Sequence, residues 1–226
     1  MALPSKARFR ILAALLVGLL PAVANAAYLV VRSTGPSSGA YPPGKRLRDG
    51  AEVLLRPGDR LTVLGLNRAR ELRGPANFTV APDVQLVTAL DSRGRFGSRR
   101  GPSHPSIWDI DVASSATICI NPSSRPALWR SNAANASRVT IDGGPGKVAS
   151  MEWQPGVTTL LWPQSLPLAD GDTYRIRLGE GSGSAITFVT MPTASDQISL
   201  AETMLQRGCS RQVQRLVDDM LDPARP

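Results

Sequence analysis

The chain has 226 residues, a formal charge of +8, 42% hydrophobic and 19% charged residues, two cysteines and one histidine. Two Cys and one His are too few for a tetrahedral metal set, and beyond the N-terminus no run is long and apolar enough to cross a bilayer as a helix. What remains is enough chain for one large domain or two small ones with a proper core.

Lys6, Arg8 and Arg10 precede the apolar run Ile11 to Leu20, which Pro21 and the small-residue exit Ala24-Asn25-Ala26 close. A basic start, an apolar core of about ten residues and an A-x-A site form the pattern of a secretory signal peptide. The sequence therefore predicts cleavage after Ala26, with 1–26 removed and a periplasmic or secreted product. No cysteine follows the site to carry a lipid anchor. Removing three positive residues leaves the mature chain at about +5. Arginine outnumbers lysine 23 to 3, which suits either polyanion binding or the arginine usage of a GC-rich genome.

Ala27 to Arg32 (AYLVVR) reads as a short strand and Ser33 to Gly44 as a loop. From Tyr41 to Val80 come strand-like runs, AEVLL, RLTVLGL, ARELR and NFTV, separated by turn residues: Asp49-Gly50, Pro57-Gly58-Asp59 and Arg73-Gly74-Pro75. Ala81 to Asp91 fits one more strand or a short helix.

Within this block Leu55, Gly58, Asp59, Leu61 and Val63 spell L-x-x-G-D-x-L-x-V, and Leu72, Gly74, Pro75 and Phe78 form a later L-x-G-P-a-x-F turn. The pair of motifs, about 40 residues, resembles the small all-β domain of FecR-type periplasmic regulators. The resemblance implies a β domain over 27–91 and a role in envelope sensing. Those regulators carry a cytoplasmic segment and a membrane helix ahead of the domain, where this chain carries a signal sequence. The whole pattern resembles exported proteobacterial proteins.

Residues 92–105 crowd Gly, Ser, Pro and Arg together and read as a linker. They also hold Arg93, Arg95, Arg99 and Arg100 around Phe96. That set suits contact with a polyanion, lipopolysaccharide or an acidic glycan, or else a solvated connector. Export makes nucleic acid an odd partner.

From Ile107 a series of short β-like runs recurs about every ten residues, with turn clusters between them. This pattern predicts an antiparallel sandwich over 106–192, with Asp142-Gly143-Gly144 and Asp170-Gly171-Asp172 as hairpin turns. Leu168, Asp170, Gly171 and Tyr174 resemble the strand entry of immunoglobulin-like or fibronectin-like modules of exported bacterial proteins. Trp108, Trp129, Trp153 and Trp162 fit core packing, or a platform for a carbohydrate or peptide.

Over 193–226 the period changes. Ser195 or Asp196 can cap a helix running to about Arg207, Gly208 breaks it, and Val213, Leu216, Val217, Met220 and Leu221 stripe a second helix. The expectation is a two-helix tail that folds back onto the sandwich; a partner is the other use of the stripe. Cys119 and Cys209, both in the exported part, are expected to form a disulfide, with two buried thiols as the alternative.

No catalytic constellation stands out. His104 lies alone in the linker. Asp109 and Asp111, two apart on one strand face, are few for glycoside chemistry or calcium and read more simply as surface residues. No nucleophile elbow, metalloprotease or phosphate-loop pattern occurs. The sequence thus predicts a mainly β protein of two β modules with a helical tail, without cofactor or catalytic residues. Its expected role is a non-catalytic scaffold with an envelope protein partner, the alternatives being a polyanion binder or a glycan-active enzyme.

Overall fold

The computed structural model describes residues 26–81, 105–121 and 125–221. The leader before Ala26, the stretch 82–91, the arginines and Phe96 of the linker, and His104 lie outside the described residues.

The protein is mainly β with two C-terminal helices. Six strands come first: β1 (Ala26–Thr34), β2 (Arg46–Arg48), β3 (Glu52–Leu55), β4 (Arg60–Leu64), β5 (Ala69–Arg73) and β6 (Ala76–Thr79). They form a four-stranded sheet in the order β2-β1-β4-β5 and a β3-β6 pair. The three-residue β2 is not evident in the sequence, because RLR has one apolar residue, Leu47, to bury.

β1 and β4 are buried on both faces, as their nearly continuous apolar runs require. Tyr28, Val30, Leu61 and Val63 pack against Val53, Leu55 and Leu47 on one side. Leu29, Val31 and Leu64 face the opposite way, into a second cluster built with the C-terminal helices.

Eight strands follow: β7 (Asp109–Asp111), β8 (Ala116–Ile120), β9 (Ala127–Trp129), β10 (Ser137–Asp142), β11 (Val148–Trp153), β12 (Thr159–Leu161), β13 (Thr173–Leu178) and β14 (Ser184–Thr190). They make two sheets, β11-β10-β13-β14-β8 and β12-β9-β7. Most pairings are antiparallel, but β14 with β8 and β7 with β9 run parallel. Between the sheets Trp162 packs edge-on against Tyr174 and Phe188, at 5.1 and 5.0 Å. Asp170-Gly171-Asp172 is not a hairpin. It turns the corner between β12 and β13, which lie in different sheets, and Gly171 N–H donates to Phe188 on β14. Trp129, Trp153 and Trp162 are core residues, whereas Trp108 is half-buried.

One buried cation lies in this sandwich. Arg130 is 2% exposed and donates to the carbonyls of Val157, Asn135 and Gln154 at 3.1, 3.1 and 2.6 Å, with its guanidinium over the Trp153 ring. The planar fork ties two loops together without a carboxylate.

α1 (Gln197–Gln206) and α2 (Ser210–Leu221) complete the fold. They bury Ile198, Ala201, Met204, Val213 and Val217 against Leu29, Val31, Leu64 and Ala69 of the first sheet, together with Met191. The hairpin expected to lie on the sandwich therefore covers the first module, and it is stapled to the sandwich at β8. Fully burying one such aliphatic side chain is worth about 1.5–3 kcal/mol.

Candidate functional site

Cys119 on β8 and Cys209 at the turn between the helices form a disulfide that spans a sequence separation of 90. Next to it, α2 runs along the β8 edge of the sandwich. Gln212, 1% exposed, accepts from Cys119 N–H at 2.7 Å and donates to the carbonyls of Cys119 and Ile107 at 3.1 and 2.9 Å. One amide side chain thus supplies to β8 what a neighbouring strand would, and a polar edge is satisfied without a further strand. One turn later, Arg215 donates to the Asp109 carbonyl at 2.9 Å and lies 3.7 Å from the Asp111 carboxylate.

Asp109 and Asp111 are engaged by the chain itself. Asp109 accepts from Ser106 N–H, and Asp111 accepts from Ala113 N–H and the Ser114 hydroxyl. Burial pushes the Asp109 carboxyl above its ordinary value, against the pull of the Ser106 amide and of Arg215. Their arrangement orders the turns that flank β7 and anchors α2.

Beside this seam lies a groove of about 490 Å³, within the usual size of small-molecule sites. Trp108, Met191 and Leu200 provide apolar walls, and Asn121, Thr193 and Gln197 provide polar groups. The elements that frame it follow from local chemistry. Pro192 stops β14, and Asp196, in extended conformation, caps α1 by accepting from Ser199 N–H at 2.9 Å and from its hydroxyl at 2.8 Å. Those bonds hold the Asp196 carboxyl below its ordinary value. Asn121 donates to the Thr193 hydroxyl at 3.2 Å across the rim. The Gln197 Oε1 is buried and has no hydrogen-bond donor among the described residues.

Of the residues singled out in the sequence, the two cysteines are together and the two aspartates are absorbed into the module junction. Gln212 and Arg215 were not evident. Polar residues at helical spacing beside an apolar stripe read as a solvated face until the partner edge is known. Among the described residues no group of three or more His, Cys, Asp or Glu gathers to hold a metal, and no helix is long and apolar enough to cross a membrane. No family model, curated protein or solved structure matches the chain.

Proposed function

We propose that this chain is an exported, non-catalytic binding protein of the cell envelope, periplasmic or secreted, that serves as a scaffold in envelope sensing or assembly. The observation that carries this reading is the groove between the sandwich and the first helix of the hairpin, which the disulfide helps to fix in place. Clefts with apolar walls and a few polar groups are a common place for ligands. The carboxylates closest to a catalytic pair are occupied by backbone amides, a hydroxyl and Arg215. The signal-like N-terminus and the disulfide both support an oxidising compartment.

The module identities belong to the same proposal. An immunoglobulin-like assignment is supported by Tyr174 near the start of β13, whose hydroxyl donates to the Pro167 carbonyl at 2.6 Å, the bond made by a tyrosine corner. The FecR-like reading of the first module rests on Asp59, whose place in the motif is explained by the amides it binds.

The test is crosslinked capture of envelope proteins by the mature chain, run beside Trp108→Ala and Thr193→Arg, which remove one wall of the groove and block its rim. A partner held by the unaltered chain and lost by both variants is the expected result. The same partner on all three, or glycan hydrolysis that disappears in Asp109→Asn or Asp111→Asn, would sink the proposal.

A further inference from the structure

The charge of this protein is unevenly placed. Residues 26–81 hold nine Lys and Arg against four Asp and Glu, a net +5. The described remainder, 105–121 and 125–221, holds nine against eleven, a net −2. An arginine preference spread along the chain does not produce such a division, so the first module has a local reason to be positive.

At one end of that module three turns converge on Asp59. Its buried carboxylate accepts from Ser37 N–H at 2.8 Å and from Arg56 N–H, and its carbonyl accepts from Gly74 N–H at 3.0 Å. Gly35, at φ +99°, and Gly74 allow the close approach, since a β-carbon on the first would meet Asp59 and on the second the Arg56 carbonyl. The turns at 34–40, 56–60 and 73–76 are therefore held as one rigid surface.

Arg56, Arg60 and Arg73 are exposed on that surface. Arg60 and Arg73 are direct partners across β4 and β5, so their β-carbons lie about 5 Å apart. Like charges placed so repel. Only Arg73 has an exposed carboxylate, Glu71 at 2.7 Å, whereas Arg56 has the buried Asp59 behind it and Arg60 has no carboxylate among the described residues. A repulsive pair on a rigid frame is what an external anion would relieve.

We propose that this end of the first module binds an anionic polysaccharide, with Arg56, Arg60 and Arg73 taking its carboxylate, phosphate or sulfate groups in their planar forks. The site is separate from the groove and does not depend on it. The three turns carry hydroxyls (Thr34, Ser37, Ser38) and no aromatic or large aliphatic side chain. That composition offers no wedge for a bilayer, no base-stacking platform and no apolar anchor of the kind a protein interface is built on.

The experiment measures binding of the mature chain to dextran sulfate and to polygalacturonate over a salt series. It compares the triple variant Arg56→Gln, Arg60→Gln, Arg73→Gln with a charge-matched triple at Arg48, Arg175 and Arg177. The first triple should weaken binding about ten-fold or more and lower the salt slope by about one per arginine, while the second changes it less than about two-fold. Equal losses from both triples would mean a diffuse charge effect and overturn the site. So would absence of binding, or tighter binding through these arginines to phosphatidylglycerol vesicles or to polyglutamate. Thermal unfolding checks that the variants fold. Should the triple not fold, Arg60→Gln alone carries the comparison, with at least a three-fold loss expected and an unchanged affinity overturning the site.

Discussion

Gln212 and Arg130 each satisfy with one side chain what several backbone groups need, and both are almost fully buried. Gln212→Met keeps the length and apolar contact but strips two buried backbone groups of Cys119 and the half-buried Ile107 carbonyl of their partner. Unmet buried groups cost about 1–3 kcal/mol each, so urea unfolding should show a loss of about 3 kcal/mol or more. Gln212→Glu should do no better, because a carboxylate cannot donate to two carbonyls. A loss below about 1 kcal/mol in Gln212→Met would show that the amide does not hold the strand edge. Arg130→Lys tests geometry in the same way. An ammonium is a point donor and cannot reach three diverging carbonyls at once. A drop of about 2–4 kcal/mol with a changed Trp153 fluorescence is expected. Unchanged stability would show that the charge alone is needed there.

The helical hairpin is the element on which the arrangement turns. It covers the second face of the first sheet, staples β8 through Cys119–Cys209, and places α1 at the groove. Replacing both cysteines by serine should remove at most about 4–5 kcal/mol, the chain-entropy value for a loop of this length. Because Gln212 and the apolar cluster still hold α2, far-UV dichroism should stay native while the melting temperature falls. Loss of the helical signal would mean that the disulfide alone holds the hairpin. The sequence shows why this element was only half legible. Its stripe, its cap at Asp196 and its break at Gly208 predict both helices, and strand alternation predicts nearly every strand. The destination of the stripe was hidden. The clue lay in AYLVVR and RLTVLGL, whose nearly continuous apolar runs mean two buried faces rather than one. Alternation within Leu61 and Val63 suggests a half-buried sheet, and Leu64, pointing the other way into the helices, contradicts it. The groove was not legible at all, since Trp108, Asn121 and Gln197 meet only after the sandwich and the hairpin are in place.

For the whole molecule, acid should act on every layer together. Asp59 knits the first module, Asp170 and Asp172 hold the corner of the sandwich, and Asp196 and Glu202 secure α1. All five carboxyls are held below their ordinary values. At Asp170 and Asp196 backbone hydrogen bonds dominate, at Asp172 the bond from Lys147, and at Glu202 the bond from Arg46. At Asp59 burial pushes upward and the bonds from Ser37 and Arg56 overcome it. A depressed folded value contributes stability that is complete above the unfolded value, near 4, and disappears as pH falls through the folded one. Asp109, raised by burial, works in the opposite direction but is one group against five. No histidine occurs among the described residues to titrate near neutrality. The melting temperature should therefore be level from about pH 5 to 8 and fall steeply below about pH 4. The cations that pair with Glu202 and Asp172 reach solvent, so salt should blunt the share from those two but not that from Asp59, which is itself buried and held by backbone amides. Asp59→Asn should accordingly lower stability at pH 7 and flatten the acid slope, because an amide presents one acceptor where the carboxylate presents two. A melting temperature that instead drops between pH 8 and 6 would show that these carboxylates do not govern the acid response.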